Sequence, residues 1–192
     1  PLQLLPFFVL LYDVDELRFI IMSNLKNRIF LIGPMGSGKT TVGRRLASML
    51  GKTFCDTDNE VEAKTGVNIA YIFDVEGEEG FRTRESAVLF EKAQLDNIII
   101  STGGGIIELK TNREVLKNGY VIYLKTSLET QKERATPNEN RPLLLNTNAE
   151  KQLTELMIKR KPLYEESADR VIITDGLTSK AVAKQIFEAI NE

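Results

Sequence analysis

The sequence predicts an α/β fold, a three-layer αβα arrangement around a five-stranded parallel sheet. From Arg28 onward, short apolar runs rich in Ile and Val alternate with longer segments of helical periodicity. Four of these runs are nearly continuous in apolar residues, which is typical of parallel strands that helices cover on both faces. The chain has 192 residues, of which 42% are hydrophobic and 27% charged. These values indicate one globular domain rather than a disordered or repetitive chain.

Each predicted element follows from its local pattern. Five apolar runs are predicted to be strands: Arg28–Ile32, Thr53–Cys55, Asn97–Ser101, Tyr120–Leu124 and Arg170–Thr174. Seven intervening or following segments are predicted to be helices: Lys39–Leu50, Asp58–Lys64, Glu78–Leu95, Thr111–Lys117, Leu128–Arg134, Ala149–Ser167 and Ser179–Asn191. In open parallel sheets, ligands bind beyond the carboxyl ends of the strands. The residues that follow each strand are therefore the candidates for a functional site.

The composition excludes several kinds of site. The chain has no histidine, which rules out a Ser-His-Asp triad, an imidazole base and a His-containing zinc site. Its one cysteine, Cys55, can form neither an internal disulfide nor a multi-cysteine metal site. A net charge of −2 offers no excess basic surface, so we expect no nucleic-acid partner. The remaining chemistry is that of carboxylates, Lys, Arg, backbone amides and an oxygen-ligated metal.

Residues 1–21 are expected to lie outside the native domain, which would then be residues 22–192. Their apolar stretch, Leu2–Tyr12, is interrupted by Gln3 and Pro6 and is too short to span a bilayer. We expect Met22 to be the natural start and residues 1–21 to be upstream sequence, the alternative being an extra helix packed on the domain. Without disulfides, a targeting segment or a membrane anchor, the cytoplasm is the expected compartment.

The strongest single motif is a phosphate-binding loop, Gly33–Thr40, with the sequence GPMGSGKT. It matches G-x-x-x-x-G-K-S/T between a predicted strand and a predicted helix, as the motif requires. Such a loop surrounds phosphate oxygens with backbone N–H groups at the start of a helix. Lys39 would reach the β- and γ-phosphates, and the Thr40 hydroxyl would bind Mg²⁺. The predicted nucleotide-binding residues in this segment are Gly36, Ser37, Gly38, Lys39, Thr40 and Thr41.

A GTPase is the first alternative for such a loop. Asp74–Gly77 matches D-x-x-G, but no Lys in the chain is followed two residues later by Asp, so the guanine-reading N-K-x-D motif is absent. We therefore interpret Asp74–Gly77 as a short loop before the helix predicted from Glu78. This leaves a nucleotide-binding protein of another class.

Two carboxylates follow the second predicted strand, in Asp56-Thr57-Asp58. The first two strands of a parallel sheet are expected to lie close together, which would bring Asp56 near Thr40. Asp56 is therefore the predicted Mg²⁺ ligand, bound directly or through water. Asp58 is open to two interpretations, a residue of the site or a cap of the following helix.

Four further segments carry arginine or glycine at positions that suit a ligand. They are Phe81–Glu85 (FRTRE), Gly103–Gly105, Arg141–Leu144 (RPLL) and Lys159–Tyr164 (KRKPLY). Any one of these arginines alone would more often be a solvated surface charge. Glu85 could hold an arginine in place or form an ordinary helix ion pair.

With the phosphate loop and the Asp-Thr-Asp segment, these motifs resemble the shikimate kinase family in order and spacing, from about Arg28 to the C-terminus. The resemblance implies the P-loop fold of nucleoside monophosphate kinases, with a mobile lid at about 135–148. It implies Mg²⁺- and ATP-dependent phosphorylation of the 3-hydroxyl of shikimate, on the pathway to chorismate and the aromatic amino acids. We expect a monomer whose partners are shikimate and ATP.

The resemblance also implies roles for individual residues. Asp58 would hold substrate hydroxyls and assist deprotonation, Arg141 would reach the transferring phosphates, and Arg134 would lie against adenine. The substrate carboxylate would bind Arg82 and Arg160 beside the backbone of Gly103, Gly104 and Gly105. Two alternatives stay open at this point: a gluconate-type sugar-acid kinase, and a nucleotide-binding module without catalytic activity.

Overall fold

The computed structural model describes residues 26–134 and 149–191. Five strands form one parallel sheet in the order β2-β3-β1-β4-β5. In chain order they are β1 (Arg28–Ile32), β2 (Thr53–Asp56), β3 (Ile98–Ser101), β4 (Tyr120–Lys125) and β5 (Arg170–Ile173). The predicted parallel α/β fold is confirmed.

Helices connect and cover the strands. They are α1 (Lys39–Leu50), α2 (Thr57–Thr65), α3 (Ile69–Lys92), α4 (Lys110–Leu116), α5 (Leu128–Arg134), α6 (Ala149–Ser167) and α7 (Ser179–Asn191). A 3-10 turn, Ile106–Glu108, lies between β3 and α4. No helix within these described residues is both long and apolar enough to cross a membrane.

The core consists of two apolar layers, one on each face of the sheet. Side chains alternate between faces along a strand, so Ile29 and Leu31 of β1 pack in one layer with helices α1 and α7. Phe30 and Ile32 point to the opposite layer, which includes residues of α3, α4 and α6. All four of these β1 side chains are fully buried. β1 therefore lies at the centre of the fold, and the phosphate loop begins at its carboxyl end.

The first two strands, which are expected to lie close together, are separated by one strand of the sheet. β3 lies between them, with Leu31 of β1 and Asp56 of β2 both in register with Ser101. Asp56 nevertheless reaches Thr40, because Thr40 stands in the first turn of α1 and not on β1. The predicted proximity of Asp56 to Thr40 is confirmed, although the two strands are not adjacent.

The loop predicted at Asp74–Gly77 is only partly correct, because Asp74, Val75 and Glu76 are helical and Gly77 alone breaks the helix before the predicted start at Glu78. These residues belong to α3, which begins at Ile69 after the Asn68 side chain accepts a hydrogen bond from the N–H of Tyr71. Gly77 has non-helical dihedral angles, φ 71° and ψ −174°, and breaks α3 into two segments. The other predicted boundaries lie within a few residues of the observed ones.

Candidate active site

The phosphate loop leads from β1 into α1 and holds the Lys39 ammonium close to its own backbone. Lys39 Nζ donates to the carbonyl oxygens of Gly33 and Pro34, both at 2.8 Å, and to Ser37 Oγ at 3.3 Å. The lysine is 9% exposed and Ser37 is buried. Loop and ammonium thus form one compact cationic unit at the start of a helix, which is an environment that favours phosphate.

Thr40 and Asp56 meet beside this loop. The Thr40 hydroxyl donates to Asp56 Oδ2 at 2.7 Å. Asp56 Oδ1 accepts from the backbone N–H of Asp58 at 3.1 Å and of Asn59 at 3.5 Å, so Asp56 is the N-cap of α2. The alternative in which Asp58 caps this helix is therefore wrong, because Asp58 lies inside the first turn. A hydroxyl and a carboxylate at hydrogen-bonding distance supply the oxygen ligands that suit Mg²⁺.

Asp58 places a carboxylate at the interior of the site. Its Oδ1 is buried and has no hydrogen-bond partner among the described residues. Burial, and then the nearby Glu85 and Asp56 carboxylates, raise the pKa of Asp58 to about 7, against the opposing influence of Lys39 and Arg82. A buried acceptor without a partner is an unusual and costly feature of a folded protein. Asp58 is therefore disposed to accept hydrogen bonds from a bound molecule.

Arg82 is held by two glutamates of its own helix. Its Nη1 donates to Glu85 Oε2 at 2.7 Å, and its Nη2 donates to Glu78 Oε1 at 3.1 Å. The Glu85 side chain is fully buried, while Glu78 is 54% exposed. Of the two interpretations of Glu85, the structure favours the one in which it holds an arginine in place.

The three glycines after β3 bring backbone against these charged side chains. A Cβ atom on Gly103 would lie 1.9 Å from Glu85 Oε1, and one on Gly105 would lie 2.2 Å from the Arg82 guanidinium. Gly103 N–H donates to Thr57 Oγ1 at 3.0 Å, and Gly104 accepts a hydrogen bond from the Tyr164 hydroxyl. Larger residues would displace Glu85 or Arg82, so this turn requires glycine for close approach.

Arg160 reaches the same turn from α6. Its Nε donates to Glu108 Oε1 at 2.7 Å, and Nη2 lies 2.7 Å from that oxygen without making a hydrogen bond of acceptable geometry. The arginine is 8% exposed. The buried Arg160 guanidinium has further N–H donors, which can bind an anionic acceptor in addition to Glu108.

Arg134 lies on the other side of the phosphate loop. Its Nη2 donates to the carbonyl of Thr174 at 3.0 Å, and its Nη1 lies 3.4 Å from the carbonyl oxygen of Gly36. A Cβ atom on Gly36 would lie 3.4 Å from the Cα and carbonyl oxygen of Gln131. Helix α5 therefore packs directly on the loop and presents Arg134 there.

Most of the residues predicted from the sequence line one cleft of about 520 Å³. They are Gly36, Gly38, Lys39, Thr40, Thr41, Asp56, Asp58, Arg82, Gly103, Gly104, Gly105, Arg134 and Arg160. Ser37 is buried behind the loop, and Arg141 lies outside the described residues. The cleft also has an apolar wall that was not predicted from the sequence: Ile69, Phe73, Phe81, Leu153, Leu156, Met157 and Tyr164. Helical periodicity marks such residues only as apolar, because core and cleft walls share the same pattern.

The chain is similar in sequence to shikimate kinases. A family model described as shikimate kinase matches residues 35–191. A shikimate kinase of Halorhodospira halophila is 48% identical over 165 residues, which is 85% of this chain and 93% of the relative. One from Histophilus somni is 49% identical over 168 residues, covering 86% and 96% of the two chains.

Solved structures of shikimate kinases are also similar to this chain. The shikimate kinase of Acinetobacter baumannii in complex with shikimate superposes with a TM-score of 0.85 at 46% identity, covering 88% of this chain and 94% of the other. The Aquifex aeolicus shikimate kinase gives 0.74 at 34% identity, covering 85% and 96%. A deoxyadenosine kinase of M. mycoides, with 0.56 at 18% identity, shares the fold alone.

Proposed function

The chain belongs to the shikimate kinase family, and we propose that the cleft described above is where it transfers the γ-phosphoryl group of ATP to the 3-hydroxyl of shikimate. The enzyme is a P-loop transferase of the pathway to chorismate and the aromatic amino acids. One observation carries the placement of the reaction. The Asp58 carboxylate lines the same cleft as Lys39 of the phosphate loop and Arg82 beside the three glycines.

The donor half of the cleft is formed by the phosphate loop. Its backbone amides and Lys39 would bind the phosphates, while Thr40 and Asp56 would hold Mg²⁺ directly or through water. Among the described residues no three or more acidic or Cys side chains cluster as a metal site. The ion would therefore bind together with the nucleotide, whose phosphates complete its ligands. When bound, Mg²⁺ neutralises charge on the transferring phosphoryl group.

The acceptor half suits a small hydroxylated acid. Arg82 and Arg160 would bind the carboxylate of shikimate through charge-assisted hydrogen bonds, with the amides of Gly104 and Gly105 beside them. Asp58, with its free buried oxygen, would accept hydrogen bonds from the ring hydroxyls and orient the attacking one. In this proposal an anion site and a hydroxyl acceptor would lie at fixed positions relative to the phosphate loop.

Phosphoryl transfer requires positioning and charge stabilisation more than a strong base, because its transition state is loose. A chain without histidine can therefore perform it. Lys39 would stabilise the negative charge on the phosphoryl oxygens from the donor side. The family resemblance adds Arg141, outside the described residues, as a second cation that would stabilise charge on the transferring phosphates.

We further propose that residues 22–192 act as a single kinase domain, as a monomer in the cytoplasm, without nucleic-acid or membrane partners. One continuous sheet with both faces covered supports a single domain over the described residues. Burial raises the pKa of the Cys55 thiol to about 12, so the thiol stays protonated and unreactive. Such a thiol is compatible with the reducing environment of the cytoplasm.

The test is release of ADP from Mg·ATP, measured with shikimate, with gluconate and without an acceptor. We expect strong stimulation by shikimate alone. Stimulation by gluconate instead would contradict the assignment of Asp58, Arg82 and Arg160 as shikimate ligands. Absence of stimulation by either acceptor, with ATP still bound, would contradict a catalytic role for the cleft.

A further inference from the structure

Glu108 contacts the proposed acceptor half of the site through Arg160. It ends the 3-10 turn that follows Gly105, and its side chain is 19% exposed. One carboxylate oxygen binds Arg160, and the other accepts a hydrogen bond from Lys159. Glu108 therefore connects the end of the glycine turn to two consecutive cations of α6.

The geometry of this contact leaves one edge of the Arg160 guanidinium available. Arginine presents N–H donors on two edges, and Glu108 Oε1 lies 2.7 Å from both Nε and Nη2, which form one of them. Nη1, on the other edge, faces the glycine turn, 3.7 Å from the position that a Cβ on Gly104 would take. Holding Arg160 by its Nε side thus turns its terminal edge toward the cleft.

Glu108 is itself held firmly. Arg113 Nη1 donates to the carbonyl oxygens of Ile107 and Glu108, at 2.8 and 2.9 Å, and so anchors the backbone of the turn from α4. Burial alone would raise the pKa of Glu108, but hydrogen bonds from Lys159 and Arg160 outweigh burial and lower it. The side chain is therefore a fixed anion at neutral pH.

The charges of the cluster also suit an acidic ligand. Arg160 and Lys159 carry two positive charges against the one negative charge of Glu108. Lys159 is 63% exposed, so part of its charge is screened by water. The group retains a net positive charge, and Glu108 orients Arg160 without neutralising the subsite.

We propose that Glu108 is a positioning residue that aims Arg160 at the carboxylate of the acceptor and thereby favours carboxylate-bearing acceptors. The inference rests on the proposed function, in which Arg160 binds that carboxylate. Glu108 acts here through Arg160 and does not touch the acceptor.

The experiment compares shikimate with its methyl ester, which has the same ring but no negative charge. Kinetic constants are measured at saturating Mg·ATP for the parent and for Glu108→Ala, Glu108→Gln and Glu114→Ala. Glu114 is the matched control, since it forms an exposed ion pair with Lys117 on α4. Unfolding temperatures show whether each variant is folded.

We expect Glu108→Ala to raise the KM for shikimate about tenfold, the equivalent of one charge-assisted hydrogen bond. The kcat value, the KM for ATP and the KM for the ester should stay close to those of the parent. Glu108→Gln should give an intermediate KM, because its amide oxygen can still accept from Nε. If the alanine variant does not fold, the glutamine variant supports the same comparison. Glu114→Ala should match the parent throughout.

Two results would overturn the inference. An unchanged KM for shikimate in both Glu108 variants would show that Arg160 needs no such partner. An equal rise for shikimate and the ester would show a general distortion of the cleft. Failure of the proposed function is distinguished by Arg160→Lys: if this change leaves the KM for shikimate unaltered, Arg160 does not bind the acceptor carboxylate at all.

Discussion

Asp58 occupies a position in which its ionised form is unfavourable in the free protein. Its pKa is raised to about 7, first by burial and then by Glu85 and Asp56, from an ordinary value of 3.8. Between these two values the folded protein binds a proton that the unfolded chain does not. Stability therefore falls as pH rises through this range, and the loss is complete above about pH 7. The Asp58 carboxylate therefore lowers the stability of the ligand-free protein at pH 7 and above.

We predict that Asp58→Asn separates stability from activity. Above pH 7 the neutral side chain should raise the unfolding temperature by several degrees, since each pKa unit corresponds to about 1.4 kcal/mol. The gain should shrink as pH falls toward about 4, where the native carboxyl is protonated. Phosphorylation of shikimate should fall by about 10²–10⁴ if Asp58 orients and deprotonates the hydroxyl. Thermal unfolding across pH, turnover and ATP binding are the measurements.

Retained ATP binding is the internal control for that variant, because the phosphate loop does not include Asp58. Nearly full activity of Asp58→Asn would contradict the proposed catalytic role. An unfolding temperature at pH 8 no higher than that of the parent would contradict the raised pKa.

Arg141 lies outside the described residues, so its role rests on the family resemblance. We predict that Arg141→Ala lowers kcat by about 10³ or more, the effect of arginines that stabilise phosphoryl transfer in related systems. Shikimate affinity should change little, because the charge develops only in the transition state. Arg45→Ala, which removes an exposed contact to Ser179, is the control for loss of an arginine. Weakened substrate binding with an unchanged kcat would contradict the proposed role.

Helix α3 is divided into two segments by Gly77. This residue has φ 71° and ψ −174°, a combination that is essentially restricted to glycine. The break separates the turn that carries Ile72 and Phe73 from the segment that carries Arg82 and Glu85. Both segments contribute to the cleft, the first through an apolar wall and the second through charge.

We predict that Gly77→Asn and Gly66→Asn differ in stability. Gly66 ends α2 with φ 72° and ψ 7°, a left-handed conformation that asparagine tolerates. A Cβ on either residue would meet nothing within 4 Å, so backbone conformation is the main difference. Gly66→Asn should cost a few tenths of a kcal/mol, whereas Gly77→Asn should cost about 1–3 kcal/mol. Urea unfolding measures both, and equal costs would contradict the assigned role of the Gly77 conformation.

Different parts of the fold form the two proposed halves of the cleft. The donor half depends on the loop between β1 and α1, and the acceptor half depends on α3, the glycine turn after β3, and α6. Each ligand should therefore stabilise the protein independently of mutations in the other half.

Thermal unfolding with each ligand tests this independence. Mg·ATP at about 100 times its Kd should stabilise the parent and Arg160→Lys alike, by about 2.7 kcal/mol. Shikimate at a fixed concentration should stabilise the parent but much less the variant, because lysine lacks the planar fork that matches a carboxylate. Chelation of Mg²⁺ should abolish turnover. A loss of stabilisation by ATP in Arg160→Lys would show that the two halves are coupled.

The sequence predicted the number and approximate bounds of the strands, the phosphate loop and, with the family resemblance, most of the polar and glycine residues of the cleft, but not its apolar wall. These depend on local information: hydrophobic periodicity, and motifs whose glycines, lysine and hydroxyl must follow one strand directly. Local patterns did not predict the first segment of α3, residues 69–76, because Asp74–Gly77 matches a turn pattern. The non-helical dihedral angles of Gly77 can be seen only in the structure.

Which distant groups meet depends on the tertiary fold. The fold places β3 between β1 and β2, buries Glu85 against Arg82 and joins Glu108 to Arg160 across 52 positions. Among the described residues it leaves one Asp58 oxygen without a hydrogen-bond partner. The reason is physical: strand order and ion pairing arise from packing between residues far apart in the chain, and no local pattern specifies them.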